Sequence, residues 1–311
     1  MPLVHQQIKF KTVLNISGTQ NCSTHLSKCL TLPEKEQPIF VSHKHLRTQK
    51  NMSKVINSST LLDVILQFPF LTDPVVYRTP SYARFSLQQL EKRLLEYMTS
   101  LQLTLIHEHV STVHFLYDHP PIIKYIQKRI RWNLAKLSFH RVKDSKITKA
   151  AYEFAFSHLS GRLVMITQAD VYPDDGFDLI RKNIMVSQQL MYALSRYEDR
   201  EKHCGRSPQS PSKQYCSDDG YMGSHDAYIF VPTGKIPPAA SNSLSHRSTD
   251  YGTDNVIIWT FIKFLNYTVL NPCKVIYTYH FHCIDIRNAD RTRINTAGNT
   301  GYAMPTNKLF Y

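Results

Sequence analysis

From about residue 60 to residue 200 the chain alternates helix-period and strand-like segments, and this alternation constrains the fold more than any other feature. SLQQLEKRLLEYMTSLQL carries Leu87, Leu90, Leu94, Leu95 and Met98, a helical spacing behind the cap residue Ser86. STVHFLYDH, rich in β-branched and aromatic residues, predicts a strand. KITKAAYEFAFSHLSG predicts a helix that Gly161 stops. RLVMITQAD predicts the next strand, DGFDLIRKNIM a short helix and QLMYALSRYE a further strand. Upstream, SSTLLDVILQF predicts a helix capped by Ser59 or Thr60. The pattern points to an α/β sheet with helices on its faces.

Beyond residue 200 the elements are spaced by longer loops. Residues 200–224 form a polar stretch with Pro, Ser and two cysteines, and KIPPAASNSLSHRS reads as a second loop. Between them HDAYIFVP predicts a strand. TDNVIIWTFIKFLNYTVL predicts a buried helix running into a short edge strand, and KVIYTYHFHCIDI a strong strand. An acceptor site or a lid is expected in the two long loops.

A hydrophobic fraction of 42% and a charged fraction of 20% suit a chain that buries a sizeable core. The longest apolar stretch, LLDVILQFPFL, contains Asp63 and Gln67 and falls short of the roughly 20 residues needed to span a bilayer. No apolar signal core is seen in MPLVHQQIKFK, so membrane association is expected only through an N-terminal anchor missing from the sequence as given. The net charge is +13, and residues 1–60 hold eight Lys/Arg against two Glu. Such a surplus attracts anionic partners or simply keeps a leader solvated. No basic helix with interleaved aromatics and no zinc-finger spacing is seen, so nucleic acid is not an expected partner. Residues 1–60 read as a basic leader or stem, and 61–311 as the folded domain.

The six cysteines, at 22, 29, 204, 216, 273 and 283, form no C-x-x-C. Asn15, Asn21, Asn51, Asn57 and Asn266 each begin N-x-[ST], against roughly two expected by chance. Both features lean toward an oxidising compartment, the ER or Golgi lumen or the outside of the cell.

LVMITQADVYPDD runs from apolar residues into Asp170, Asp174 and Asp175, which suits a solvated turn or the seat of a cation. Open α/β sheets bind ligands beyond the carboxyl ends of their strands, and a divalent cation there can bridge two phosphates. His280 and His282, two apart in YHFH, face one way in a strand and suit a shared cation or phosphate contact. Asp226 opens the strand AYIF, where it contacts a ligand or orients Arg196 by a charge-assisted pair. Asp254 suits a helix N-cap. P-loop, G-x-G-x-x-G and nucleophile-elbow motifs are missing from the sequence.

The order GRLVMITQADVYPDDGFDLI, ALSRYE, SHDAYIF, YGTDNVIIWTFIKFLNYTVLNP and YHFH resembles glycosyltransferases of the GT-A fold, closest to family-two-like members, over about residues 85–300. The resemblance implies a Rossmann-like mixed sheet flanked by helices that holds a nucleotide-sugar donor. It implies a divalent cation, Mn2+ or Mg2+, on the donor diphosphate, with Asp170 at the essential acid of the D-x-D position and Gln168 where a strict motif has its first Asp. It places a late His, His280 or His282, on the cation, with Asp174 or Asp175 as compensating acids. Asp118, at the end of HFLYDH, would touch ribose or base. Asp254 would be the base that deprotonates a glycan, protein or lipid hydroxyl in an inverting transfer, with Asp226 as its alternate. Apart from the resemblance, Cys283 points to the face opposite His280 and His282 and is expected to pair with Cys273 if the compartment is oxidising. The alternatives are a catalytically inactive relative that binds a glycan or nucleotide, and a nucleotide-sugar hydrolase or uridylyl-type enzyme.

Overall fold

Strand β1, Leu62–Leu66, is buried along its whole length. Leu62, Val64 and Leu66 join the apolar cluster on one face of the sheet, and Ile65 joins the cluster on the other. A strand covered on both faces reads as an unbroken apolar run, without alternation. LLDVIL therefore forms a strand, in place of the helix expected there, and Ser59 and Thr60 lie outside the described residues. The computed structural model describes residues 61–79, 82–198, 215–218, 223–284, 294 and 298–310. The leader expected over residues 1–60 lies outside them.

A four-residue helix α1 (Pro74–Tyr77) leads to α2 (Leu87–Ile106), where Ser86 and Gln89 form a reciprocal capping box. Then come β2 (Val110–Tyr117), α3 (Pro121–Arg129), β3 (Leu137–Arg141), α4 (Thr148–His158) and β4 (Val164–Thr167). The segment expected as one short helix after β4 splits into a 3-10 turn, Phe177–Leu179, and α5, Lys182–Ser187. β6 (Leu190–Leu194) and β8 (Ala227–Phe230) follow. The loop expected after β8 contains a six-residue helix α6, Pro238–Ser243, started by a proline in its first turn. The late helix α7, Thr253–Leu265, runs into the edge strand β9, Thr268–Leu270, as expected.

The main sheet has seven strands in the order β3-β2-β1-β4-β8-β6-β9. β1 to β4 are parallel, β8 is antiparallel to both neighbours, and β9 is parallel to β6. The 3-2-1 run is that of a mononucleotide-binding Rossmann half, with the switch point between β1 and β4. Leu90, Leu94 and Met98 of α2 pack on one face, and Tyr152 of α4 with Phe261 of α7 on the other. The result is the α/β sheet with helices on its faces that the alternating pattern predicts, and it is mixed, as the resemblance implies.

A second sheet, β5-β10-β7, is built from Val171–Pro173, Thr278–His280 and Tyr197–Glu198. It lies at the carboxyl edge of the main sheet, because β5 follows β4 and β7 follows β6 within a few residues. Only three residues of the strand expected over KVIYTYHFHCIDI pair in this way. The turn that closes β5 against the β10 segment needs Gly176, at φ +90°, where a Cβ would stand 1.9 Å from the Val275 carbonyl oxygen. Cys273 is joined to Cys216, not to Cys283, and Cys283 is itself disulfide-bonded. No helix among the described residues is long and apolar enough to cross a membrane.

Candidate functional site

Asp170 stands three residues past the end of β4, where the chain turns into β5. Its carbonyl accepts the Phe281 N–H at 2.7 Å, which seats it beside the end of β10. The side chain is buried, and its Oδ2 meets Nε2 of His280 at 2.9 Å, Nδ1 of His282 at 3.7 Å and the guanidinium of Arg93. Burial opposes ionisation, yet His280 and Arg93 outweigh it and hold the Asp170 carboxyl well below the usual carboxylate range. One ligand atom from each of Asp170, His280 and His282 lies within 4.8 Å of the others, the one such group of three among the described residues. An oxygen and two imidazole nitrogens fit a transition-metal dication such as Mn2+ better than Mg2+, which keeps to oxygen ligands.

Two charged residues of α2 close one side of this cluster. Arg93 and Glu96 pair at 2.5 Å, both buried, and the Arg93 guanidinium lies 4.7 Å from the Tyr97 ring centroid. Glu96 Oε1 accepts the N–H groups of Cys283 and Ile284 at 2.7 and 2.8 Å. Burial pushes the Glu96 carboxyl up, against the pull of Arg93. The helix thus fixes both Asp170 and the segment that follows His282. Sequence reasoning missed Arg93 and Glu96, although Arg93 comes three residues after Leu90, inside the apolar stripe, where a charge needs a partner.

The other side is closed by β7. Glu198 Oε2 and Oε1 lie 3.2 and 3.3 Å from His280 Nδ1. Arg196 Nε reaches Glu198 at 3.4 Å, its Nη1 pairs with Asp226, and its guanidinium lies 4.4 Å from the Tyr215 ring centroid. Burial raises the Glu198 carboxyl, but His280 and Arg196 bring it down to about 2. Burial likewise disfavours charge on His280, and Asp170 reverses that and raises its pKa. Glu198 ends the ALSRYE segment, where a lone Glu has no distinguishing spacing.

The Asp226 end of this ladder adjoins Asp254. Asp254 is the second residue of α7 and not its N-cap, which is Gly252. Its Oδ2 accepts the His225 N–H at 3.2 Å and its Oδ1 the Asn255 N–H at 3.0 Å. Burial, then repulsion from Asp226, pushes its pKa up to about 6. Asp170, His280, His282, Arg196, Asp226 and Asp254 therefore belong to one region at the carboxyl edge.

Asp118, Asp174 and Asp175 are not among the three grouped donors, and Gln168 borders them. Gln168 is exposed, and its backbone N–H donates to the Asp226 carbonyl at 3.1 Å. Asp118 follows β2, two strands from β4, and accepts the Ser145 N–H at 3.2 Å. Asp174 and Asp175 make backbone bonds with Tyr277 and are not in the donor group. At the switch point, just past β1, Gln67 Oε1 is buried with no hydrogen-bond partner among the described residues.

No family model matches the chain, and no curated protein matches it. Solved structures similar to it include S. aureus TarS 1-349, at 13% identity and a TM-score of 0.36 over 71% of this chain and 60% of that one. GalNAc-T7, solved with UDP, GalNAc and Mn2+, is similar at 8% identity and a TM-score of 0.28, over 44% of this chain and 23% of that one. UDP-glucose pyrophosphorylase complexed with UDP-glucose is similar at 11% identity and a TM-score of 0.30, over 59% of this chain and 78% of that one. This chain spans less than two thirds of the length of the TarS and GalNAc-T7 chains. At such TM-scores the likenesses carry no argument alone, and the fold rests on its own strand order.

Proposed function

We propose that the chain transfers a sugar from a nucleotide-diphosphate donor to a hydroxyl acceptor, in a cation-assisted, inverting reaction. One observation carries the reading. The carboxyl edge of a Rossmann-like half gathers a carboxylate–diimidazole donor set with, along the same ladder, a carboxylate whose pKa is raised to about 6. Asp170, His280 and His282 would hold the cation, which neutralises charge on the departing diphosphate.

Asp254 would accept the acceptor's hydroxyl proton as the new bond to the sugar's anomeric carbon forms and the bond to the diphosphate oxygen breaks. A group with a pKa near the working pH suits this task. The donor would lie over the β1–β4 switch point, where Gln67 and Gln168 are available to it. The Cys216–Cys273 disulfide and the exposed Asn266 sequon support a luminal or secreted setting.

A second reading draws on Arg93. Its guanidinium already neutralises Asp170, as a bound cation would, and Gln168 replaces a first acid. That combination suits a relative that binds nucleotide or glycan without turnover. Incubation with a panel of nucleotide sugars, with and without acceptors, separates the two. Acceptor-dependent release of nucleoside diphosphate supports transfer. Donor binding without release supports the second reading, and release of a sugar 1-phosphate indicates nucleotidyl transfer.

A further inference from the structure

We propose that Glu198 is the positioning residue that aims His280 at the cation, an inference that rests on the cation reading above. The imidazole of His280 offers one nitrogen to each side. Nε2 faces Asp170 at 2.9 Å, and Nδ1 faces Glu198 at 3.2 Å. His280 and Glu198 are direct partners in the β10–β7 register, so backbone pairing fixes the distance between their side chains. Arg196 holds Glu198 from the far side at 3.4 Å, and both Glu198 and His280 side chains are nearly sealed from solvent, at 6% and 5% exposure.

An imidazole that loses such an acceptor is free to turn over about its Cβ–Cγ bond. That rotation exchanges Nδ1 with the ring carbon Cδ2, and Nε2 with Cε1. With a carboxylate fixed opposite Nδ1, the turned ring would set a carbon against a buried charge. Glu198 therefore selects the rotamer in which Nδ1–H donates to it and Nε2 is the atom presented beside Asp170. Outer carboxylates of this kind raise ligand basicity and fix ring orientation, and losing one weakens cation affinity by about 10- to 100-fold. Arg196 ties this carboxylate to Asp226, which precedes β8 and repels Asp254 in the first turn of α7, so the frame of the cation site is continuous with those acids.

The test is Mn2+ titration of the full chain, read from the free-ion paramagnetic resonance signal, for the unaltered protein, Glu198→Ala and Glu198→Gln. Thermal denaturation without the cation is measured alongside. Glu198→Ala should bind about 100-fold more weakly, and Glu198→Gln, which keeps an oxygen acceptor, about 10-fold more weakly. Glu198→Gln keeps an oxygen acceptor but loses the charge beside Arg196, so it should melt lower than the unaltered chain without Mn2+ yet still unfold cooperatively. Affinities compared below both melting points separate aiming from general folding and decide the matter if the alanine variant does not fold. Unchanged affinity in the glutamine variant, where the unaltered chain binds Mn2+, overturns the role of Glu198 alone. No Mn2+ binding by the unaltered chain overturns the cation reading and this inference with it.

Discussion

The guanidinium of Arg93, in the second turn of α2, is ion-paired with the carboxylate of Asp170, 77 residues further along the chain. The same Asp170 oxygen also meets His280, so positive charge reaches it from a helix and from the small sheet. A buried carboxylate without such partners would take up a proton.

Removing that guanidinium should be costly. Arg93→Ala leaves the buried Asp170 and Glu96 short of a cation, and breaking a buried pair in this way costs about 3–5 kcal/mol. Urea denaturation measures it. Mn2+ should restore more stability to the variant than it adds to the unaltered chain, because it supplies the lost charge. A loss below about 1 kcal/mol would mean that the pair behaves as a solvated surface contact.

Asp254 sets a pH dependence of definite sign. As a base it must be ionised, so transfer should rise with pH through about 6 and level off above. Stability should run the other way. The folded state keeps the proton that the unfolded state releases near 3.8, so stability falls as pH climbs from about 4 to about 6. Asp254→Asn removes the proton acceptor and should lower turnover about 10²–10⁴-fold while flattening that stability slope. Near-normal turnover in this variant would exclude Asp254 as the base.

The Asp170–His280–His282 group depends on a turn that contributes none of its side chains. Gly176→Ala would drive a methyl group into the Val275 carbonyl at a positive φ, and the turn would have to move. That turn joins β5 to the segment carrying His280, so the variant should lose about 2 kcal/mol or more and bind Mn2+ weakly. Calorimetry and cation titration check both; an unchanged melting point would contradict the geometry.

The Cys216–Cys273 bond closes a separation of 57 residues. In the chain-entropy model a loop of that length contributes about 4 kcal/mol. Cys216→Ser should therefore shift the denaturation midpoint strongly downward under oxidising conditions, and hardly at all when dithiothreitol is present for both proteins.

The main sheet was legible where faces differ. α2 shows its stripe because only one side of it meets the core, and Ser86 marks its start. β1 misled because both of its faces are covered, which erases the alternation that distinguishes a strand. Asp170, His280 and His282 were found because acids past a strand end and paired histidines are short-range signals. Arg93, Glu96 and Glu198 were not, because each gains its meaning from partners brought in by the fold. Arg93 meets Asp170 from 77 residues away, and Glu96 meets Cys283 from 187. The pairing of Cys273 depended on the same long-range closure, which spacing does not encode.

The small sheet β5-β10-β7 draws its strands from three distant stretches, and Asp170 and His280 are 110 residues apart. An unfolded chain cannot hold these atoms together without meeting the loop-closure entropy in full. A cation at this place is therefore bound by the native state alone. By mass action each tenfold rise in free cation above its dissociation constant adds about 1.4 kcal/mol to apparent stability. The free concentration of such a cation would then set how much of this protein survives quality control.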